Sequence, residues 1–151
     1  MAFTELISSF AERHGIADLA AEDNAAALDI DGIVVTLVAA GDAVSVSADI
    51  GDPPAEGRAD FAELLLEASL QSDAFFAKAP ESGTYVAVRR LALPTLDPDA
   101  LDAALESLVN QAETWRRLLA DFRPAAKAAA EAAAEESAAE PSFGAGGFLS
   151  V

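Results

Sequence analysis

The chain has 151 residues, about the length of one domain, and 52% of them are hydrophobic, so it is long enough to bury a core. Its 26 acidic and 9 basic side chains give a formal net charge of −17, which disfavours nucleic acid and anionic membranes as partners. The absence of cysteine excludes disulfides, thiol catalysis and thiolate metal sites.

The N-terminal residues lack the positive region and the long apolar run of a signal peptide. No stretch reaches the ~18 consecutive apolar residues that cross a bilayer, so we expect a soluble, cytoplasmic protein without membrane insertion. The acidic charge fits either an ordinary solvated surface or a protein that exposes apolar surface and stays soluble through its net charge.

The first predicted element is an amphipathic helix. Its apolar stripe consists of Phe3, Leu6, Ile7, Phe10 and Ala11. Gly15 follows the stripe and supplies a C-terminal stop. His14, the sole histidine, lies just before this stop, where it either complements the helix dipole or is simply exposed to solvent.

Three strands follow in hairpin order. Residues 27–30 run into Asp31-Gly32, a strong signal for a two-residue turn, and then into residues 33–39. Residues 33–39 are apolar on both faces, which favours a central strand that is covered on both sides. Gly41-Asp42 marks the next turn, and residues 44–50 alternate between apolar and polar, as a half-buried strand does. The three segments predict an antiparallel meander.

A second helix is predicted over residues 61–70, because Asp60 and Glu63 have the spacing of a capping box. It carries two neighbouring apolar stripes, Phe61, Leu64, Leu65 and Ala68 in one and Ala62, Leu66 and Leu70 in the other. A helix that is apolar over so much of its circumference must be buried against more than one surface. One surface is its own sheet, and the second is either another subunit or the rest of a monomer.

Two further strands, residues 74–77 and 84–93, precede a long helix over residues 98–122. Asp97 is a natural N-cap, and Pro98 is a natural first helical residue. The apolar stripe of this helix consists of Leu101, Leu105, Leu108, Ala112, Trp115, Leu119 and Phe122. No catalytic residue type lies on this stripe, so the helix is interpreted as a scaffold or a partner surface.

The order is helix, three strands, helix, two strands, helix. It predicts an α+β domain over residues 1–123, with a mostly antiparallel sheet and helices packed on it. The composition changes at Pro124. Residues 124–140 are rich in alanine, which favours at least partial helix. Residues 141–151 form a Gly- and Phe-containing tail that is either disordered or docked in an apolar groove.

No clear catalytic or metal-binding pattern is present in the sequence. With one histidine and no cysteine, zinc and most transition-metal sites are disfavoured. Neither a Gly-x-Ser-x-Gly elbow nor a phosphate-binding glycine motif occurs. Asp29 and Asp31 lack the further oxygen ligands of an EF-hand and fit the polar face of a strand that enters a turn. We therefore expect no catalytic residue, no metal and no cofactor.

Three stretches carry a family resemblance. They are residues 28–32 (Leu-Asp-Ile-Asp-Gly) before a valine-rich strand, residues 64–70 (Leu-Leu-Leu-Glu-Ala-Ser-Leu), and residues 101–119 with Val-Asn-Gln-Ala-Glu-Thr-Trp-Arg at 109–116. Together they resemble the class I chaperones of type III secretion, the CesT/Tir-type chaperone family. The resemblance covers roughly residues 3–122, and the alanine-rich extension lies outside it.

This resemblance implies a small, acidic, cytosolic homodimer that performs no chemistry. Such a chaperone holds a segment of a secreted effector in extended form and keeps it soluble and export-competent. The residues expected to bind the effector are Phe3, Ile7, Phe10, Ile33, Val35 and Leu37. Those expected at the dimer interface are Leu66, Leu70, Phe75 and Phe76.

Alternatives remain open at the level of sequence. Each of these apolar residues could be ordinary core. A small α+β adaptor or regulatory domain without a secretion role would share the same acidity and apolar helix. A carboxylate-dependent hydrolase is a weaker alternative, because nothing among the 26 acidic residues selects a pair.

Overall fold

The computed structural model describes residues 2–123. The order of its elements confirms the predicted α+β fold. The elements are α1 (Phe3–His14), β1 (Ala25–Ile30), β2 (Ile33–Ala40), β3 (Ala43–Gly51), α2 (Arg58–Ser69), β4 (Phe75–Lys78), β5 (Tyr85–Ala92), a 3₁₀ turn (Leu93–Thr95) and α3 (Pro98–Ala120). The expected alanine-rich helix and Gly/Phe tail lie outside the described residues.

The five strands form one sheet in the order β1-β2-β3-β5-β4, and every neighbouring pair is antiparallel. β1, β2 and β3 make the predicted meander, with Ile30 opposite Ile33 across the first turn. Asp31 and Gly32 adopt φ values of 52° and 84°, which is the backbone that a tight two-residue hairpin requires.

All three helices pack on one face of the sheet. Every second residue of each strand points to this face, and residues such as Val35, Val46 and Ala87 are buried there against the apolar stripes of the helices. No helix or strand within residues 2–123 covers the opposite face. The prediction that β2 is covered on both sides is therefore wrong, since Val34 is 50% exposed and Val38 is 43% exposed. Valines can occupy this uncovered face because valine also has a high strand propensity.

An aromatic cluster connects α2, the sheet and α3. Phe61 is fully buried, and its ring centroid lies 5.6 Å from Tyr85, 5.9 Å from Trp115 and 5.0 Å from Phe122. Trp115 also lies 5.3 Å from Phe76 of β4. Such ring pairs contribute stabilising free energy beyond that of the area they bury, so this cluster fixes the position of α2 relative to α3.

The boundaries of the two later helices test the capping predictions. Asp97 caps α3 as predicted, with its Oδ1 accepting a hydrogen bond from the Ala100 N–H at 2.7 Å. The capping box at Asp60 is wrong. α2 begins at Arg58, and its N-cap is Gly57, whose φ of 75° lies in the left-handed region that glycine tolerates. None of the helices within residues 2–123 is long and apolar enough to cross a membrane.

Candidate functional site

A cavity of about 530 Å³ lies between the end of α1, the edge strand β1 and α3. We call it the β1 groove. Its apolar lining consists of Phe10, Ile16, Leu28, Ile30, Leu105 and Val109. Leu28 and Ile30 are on the helix-covered face of β1, opposite Val35 and Ile33 of β2. They are only partly buried, because none of the strands that the structure describes lies on the outer side of β1.

The open edge of β1 carries backbone groups that can bond to a further strand. In an antiparallel pair, every second residue directs its backbone N–H and C=O groups toward the neighbouring strand. On β1 the even-numbered residues bond to β2, as Ile30 does at the turn. Asn24, just before β1, follows the same alternation, because its C=O accepts from the Ala39 N–H at 2.8 Å. Residues of the other parity point outward. Of these, Ala25 exchanges hydrogen bonds with Glu22, which leaves Ala27 and Asp29 to direct their N–H and C=O groups to the open edge.

Four acidic residues line the β1 groove: Asp29, Asp31, Asp102 and Glu106. The Asp29 carboxylate accepts a hydrogen bond from the Gly32 N–H at 2.8 Å, so it serves the turn. Asp31 and Glu106 are exposed and make no ion pair with any described residue. The groove is thus apolar at its floor and negatively charged at its rim.

Asp102 joins α1 to α3 at one end of the groove. Its carboxylate accepts from Arg13 at 2.8 Å and lies 2.8 Å from His14 Nε2, while Arg13 also donates to Asp99 at 2.6 Å. Burial opposes ionisation of Asp102, but the hydrogen bonds with His14 and Arg13 outweigh it, so the pKa of Asp102 lies below its ordinary value. The hydrogen bonds that Arg13 donates to Asp102 and Asp99 raise the pKa of Arg13.

Sequence reasoning missed this cluster. His14 lies at the end of α1 and is partly exposed, as the sequence predicts, but its carboxylate partner is 88 positions away. The spacing of Asp99 and Asp102 on the first turns of a capped helix was the available signal, because acidic side chains are favoured there and can also reach a neighbouring helix end.

The six residues predicted to bind an effector lie close together but are nearly fully buried. They are Phe3, Ile7, Phe10, Ile33, Val35 and Leu37. Of the six, Phe10 lines the β1 groove, and its ring centroid lies 4.4 Å from that of His14. The remaining five belong to the core that supports α1 and β2 from beneath. The apolar residues that line the groove but were not predicted as effector-binding from the sequence are Ile16, Leu28, Ile30, Leu105 and Val109.

Three of the four residues predicted at a dimer interface are exposed. Leu66 is 66% exposed, Leu70 is 89% exposed and Phe75 is 39% exposed, whereas Phe76 is buried against Trp115. We call the exposed Leu66 and Leu70, together with the β4 edge next to α2, the α2–β4 patch. Phe75 is opposite Val88 of β5 and therefore lies on the uncovered face of the sheet, away from α2. The predicted double apolar surface of α2 is present, because Phe61 and Leu65 face the core while Leu66 and Leu70 face outward.

A second cavity, of about 400 Å³, lies between α2 and the sheet next to this patch. Its apolar lining includes Leu66, Phe76 and Tyr85, and its charged lining residues are Arg58 and Lys78. Lys78 and Phe76 lie on β4, the second edge strand of the sheet.

These surfaces can bind another molecule by burying apolar side chains, by backbone hydrogen bonds and by contacts with exposed charges. Within residues 2–123, no polar or charged residue is buried. The same part of the chain contains no group of three or more histidine, aspartate or glutamate residues placed to hold a metal ion. Such surfaces are suited to holding another polypeptide.

Solved structures of several protein complexes share this fold. The chain matches the ExsC–ExsE complex with a TM-score of 0.68 and 24% identity, over 77% of this chain and 92% of that one. It matches the HopA1–SchA chaperone–effector complex with a TM-score of 0.64 and 15% identity, over 76% and 93%. For the Yersinia pestis type III secretion chaperone SycH with a fragment of YscM2, the TM-score is 0.61 and the identity 19%, over 76% and 99%.

At these identities the three structures show a shared fold. No curated protein sequence matches the chain. The family model of the Tir chaperone protein (CesT) family matches residues 5–116. Because this match spans well over half of the 151 residues, the chain belongs to the Tir chaperone protein (CesT) family.

Proposed function

We propose that this protein is a non-enzymatic chaperone of type III secretion, which holds a segment of a secreted effector in extended form and keeps it export-competent. Family membership supports the proposal, as do structural neighbours whose own complexes join a chaperone to an effector. The single observation that carries it is the β1 groove, where an apolar floor lies beside an open strand edge.

The effector segment binds as an additional strand on β1. Backbone groups of Ala27 and Asp29 bond to the segment, and every second side chain of the segment enters the groove over Leu28 and Ile30. Phe10 contacts the segment directly. The other five residues predicted to bind the effector act from beneath, since they hold α1 and β2 in place.

The functional unit is a homodimer that forms through the α2–β4 patch. Full burial of one leucine side chain contributes ~1.5–3 kcal/mol, and Leu66 and Leu70 are largely exposed in the single chain. A twofold contact would bury both leucines of each copy. Phe76 supports this surface from the core. The net charge of −17 keeps such an apolar protein soluble in the cytoplasm, where its clients are made.

Strand addition is tested with overlapping peptides that cover the type III effectors of the same organism. The full-length protein is titrated with each peptide, and hydrogen exchange is measured on the complexes. We expect a binding peptide to slow exchange of the outward amides at Ala27 and Asp29. Binding without any protection of β1 would overturn the proposed mode, and the absence of binding to every peptide would overturn the proposed function.

A matched pair of variants at one position sharpens the test. Ala27→Pro removes an outward N–H that β2 does not use, so the fold should persist while strand addition is lost. Ala27→Val keeps the N–H and adds a side chain of high strand propensity, so it should bind like the natural chain.

A further inference from the structure

We propose that the β1 groove selects extended effector segments that carry lysine or arginine beside the apolar side chains it buries. This inference rests on the proposed function and names the kind of client that the groove fits. It follows from the charges at the rim, from which of them are already paired, and from the length of open edge on β1.

The rim of the groove carries unpaired negative charge. Of its four acidic residues, Asp29 serves the turn and Asp102 is paired with Arg13 and His14. Asp31 and Glu106 are exposed and make no ion pair with any other described residue. Among residues 2–123, no lysine or arginine lines the cavity. Arg116 bonds to the Gly32 C=O, next to Asp31, but its ion pair is with Asp49. A client cation that approaches this rim therefore meets two carboxylates that form no ion pair with other described residues.

The acidic rim is a local property as well as a consequence of the overall charge. The cavity beside α2 has an apolar lining too, yet its charged residues are Arg58 and Lys78, and none of the described residues that line it is acidic. Two apolar concavities on one chain thus carry rims of opposite sign, and each favours a different partner. The β1 groove is the one that adjoins the open edge with Ala27 and Asp29.

The open edge is short, which brings the client's charges close to the rim. Glu22 occupies the outward groups of Ala25, and the turn at Asp31-Gly32 ends the strand, so only Ala27 and Asp29 remain available between them. One or two inward side chains of the client therefore fill the groove. The flanking residues must pass Asp31 at the turn or Glu106 on α3. Lysine and arginine suit these positions because their stems can lie on apolar surface while their charges reach a carboxylate.

Three synthetic peptides with one shared alternation of leucine and isoleucine test this proposal. The positions that flank the apolar residues carry lysine in the first peptide, glutamine in the second and glutamate in the third. Binding to the full-length protein is measured by fluorescence anisotropy. We expect the lysine peptide to bind about threefold to tenfold more tightly than the glutamine peptide at low salt, and the glutamate peptide to bind most weakly. The preference should shrink as salt is added.

Variants assign the preference to the rim. Glu106→Lys combined with Asp31→Lys should remove or reverse it, whereas Glu106→Gln should reduce it. The control, Asp52→Lys combined with Glu81→Lys, makes the same change in net charge at exposed loop positions outside the groove and the α2–β4 patch. This control should keep most of the preference.

The outcomes separate the two proposals. Equal binding of all three peptides would overturn charge selection and leave the proposed function standing. A lysine preference that both double variants lose equally would also overturn it, because the preference would then arise from the charge of the whole protein. If no peptide binds, although effector-derived peptides do, selection by flanking cations is again excluded. If neither kind of peptide binds, the proposed function fails as well.

Discussion

His14 and Asp102 are 88 positions apart in the sequence, yet His14 Nε2 lies 2.8 Å from Asp102 Oδ1. Arg13 donates to the same carboxylate at 2.8 Å. These bonds fasten the end of α1 to the beginning of α3, and Phe10, His14 and Asp102 all line the β1 groove. The width of the groove at this end therefore depends on the polar contact between the two helices.

The contact makes a prediction about acid stability. Because the pKa of Asp102 lies below its ordinary 3.8 in the folded protein, its carboxylate stabilises the fold above that pH. The contribution is lost as the pH falls through the lower, folded-state pKa. The difference in unfolding free energy between the natural chain and Asp102→Asn should therefore be constant from about pH 6 to 5 and shrink below about pH 4. Urea titrations at each pH measure it.

Asp99→Asn is the control for this experiment. Asp99 also contacts Arg13, but it is far more exposed than Asp102 and does not contact His14. We expect a smaller effect of pH on its unfolding free energy, because exposed ion pairs contribute little. A difference for Asp102→Asn that stays the same from pH 6 to 3 would contradict the prediction.

The aromatic cluster predicts where a single substitution is most costly. Phe61 is fully buried and contacts rings from β5, α3 and the residue after the α3 C-cap. Phe61→Ala should lower the unfolding free energy by about 3–5 kcal/mol, since it removes a large side chain from a site whose rings cannot all close the cavity. Phe75→Ala removes the same atoms from an exposed position and should cost much less. Equal losses in denaturant titrations would show that Phe61 is not central to the core.

The predictions from the sequence that were confirmed depend on local patterns. The stripe of α3, its cap at Asp97 and the first hairpin at Asp31-Gly32 all follow from residues close together in the chain. The contact between His14 and Asp102 and the pairing of β3 with β5 rather than with β4 are long-range, so no local pattern reveals them. The N-cap of α2 at Gly57 was not predicted, because glycine has no side chain that marks a cap and the spacing of Asp60 and Glu63 indicated a later start.

The candidate site shows the same limit. Periodicity correctly identifies Ile7 and Leu66 as members of apolar stripes, but it does not show which stripe is buried by other parts of the same chain. Ile7 is buried between α1 and the sheet, while Leu66 remains 66% exposed. Leu28 and Val109 become groove residues only because β1 is an edge strand, and the order of strands in the sheet decides that.

Leu28 gives a direct test of the groove. It is partly buried on the groove side of β1, so Leu28→Ser removes apolar surface that a client would cover. We expect the affinity for an effector-derived peptide to fall by about fivefold to thirtyfold, which corresponds to about 1–2 kcal/mol of lost burial. Isothermal titration calorimetry, performed well below the unfolding temperature, measures this loss.

The matched control is Val34→Ser, which makes a similar change on the uncovered face of the sheet. It should leave the affinity nearly unchanged. If Val34→Ser weakens binding as much as Leu28→Ser, or more, then the client lies across the opposite face of the sheet and the β1 groove is not its site.

The α2–β4 patch predicts the oligomeric state. Leu66→Asp places a charge where the proposed dimer buries an apolar side chain, and desolvating an unpaired carboxylate there is costly. We expect the natural chain to have the mass of a dimer by multi-angle light scattering and Leu66→Asp to have that of a monomer.

Leu118→Asp, at an exposed leucine of α3 outside the patch, should remain dimeric. Because Leu66 is 66% exposed in the single chain, the variant should keep its helical circular dichroism. A dimer that persists in Leu66→Asp, or a natural chain that is monomeric, would show that α2 does not form the interface.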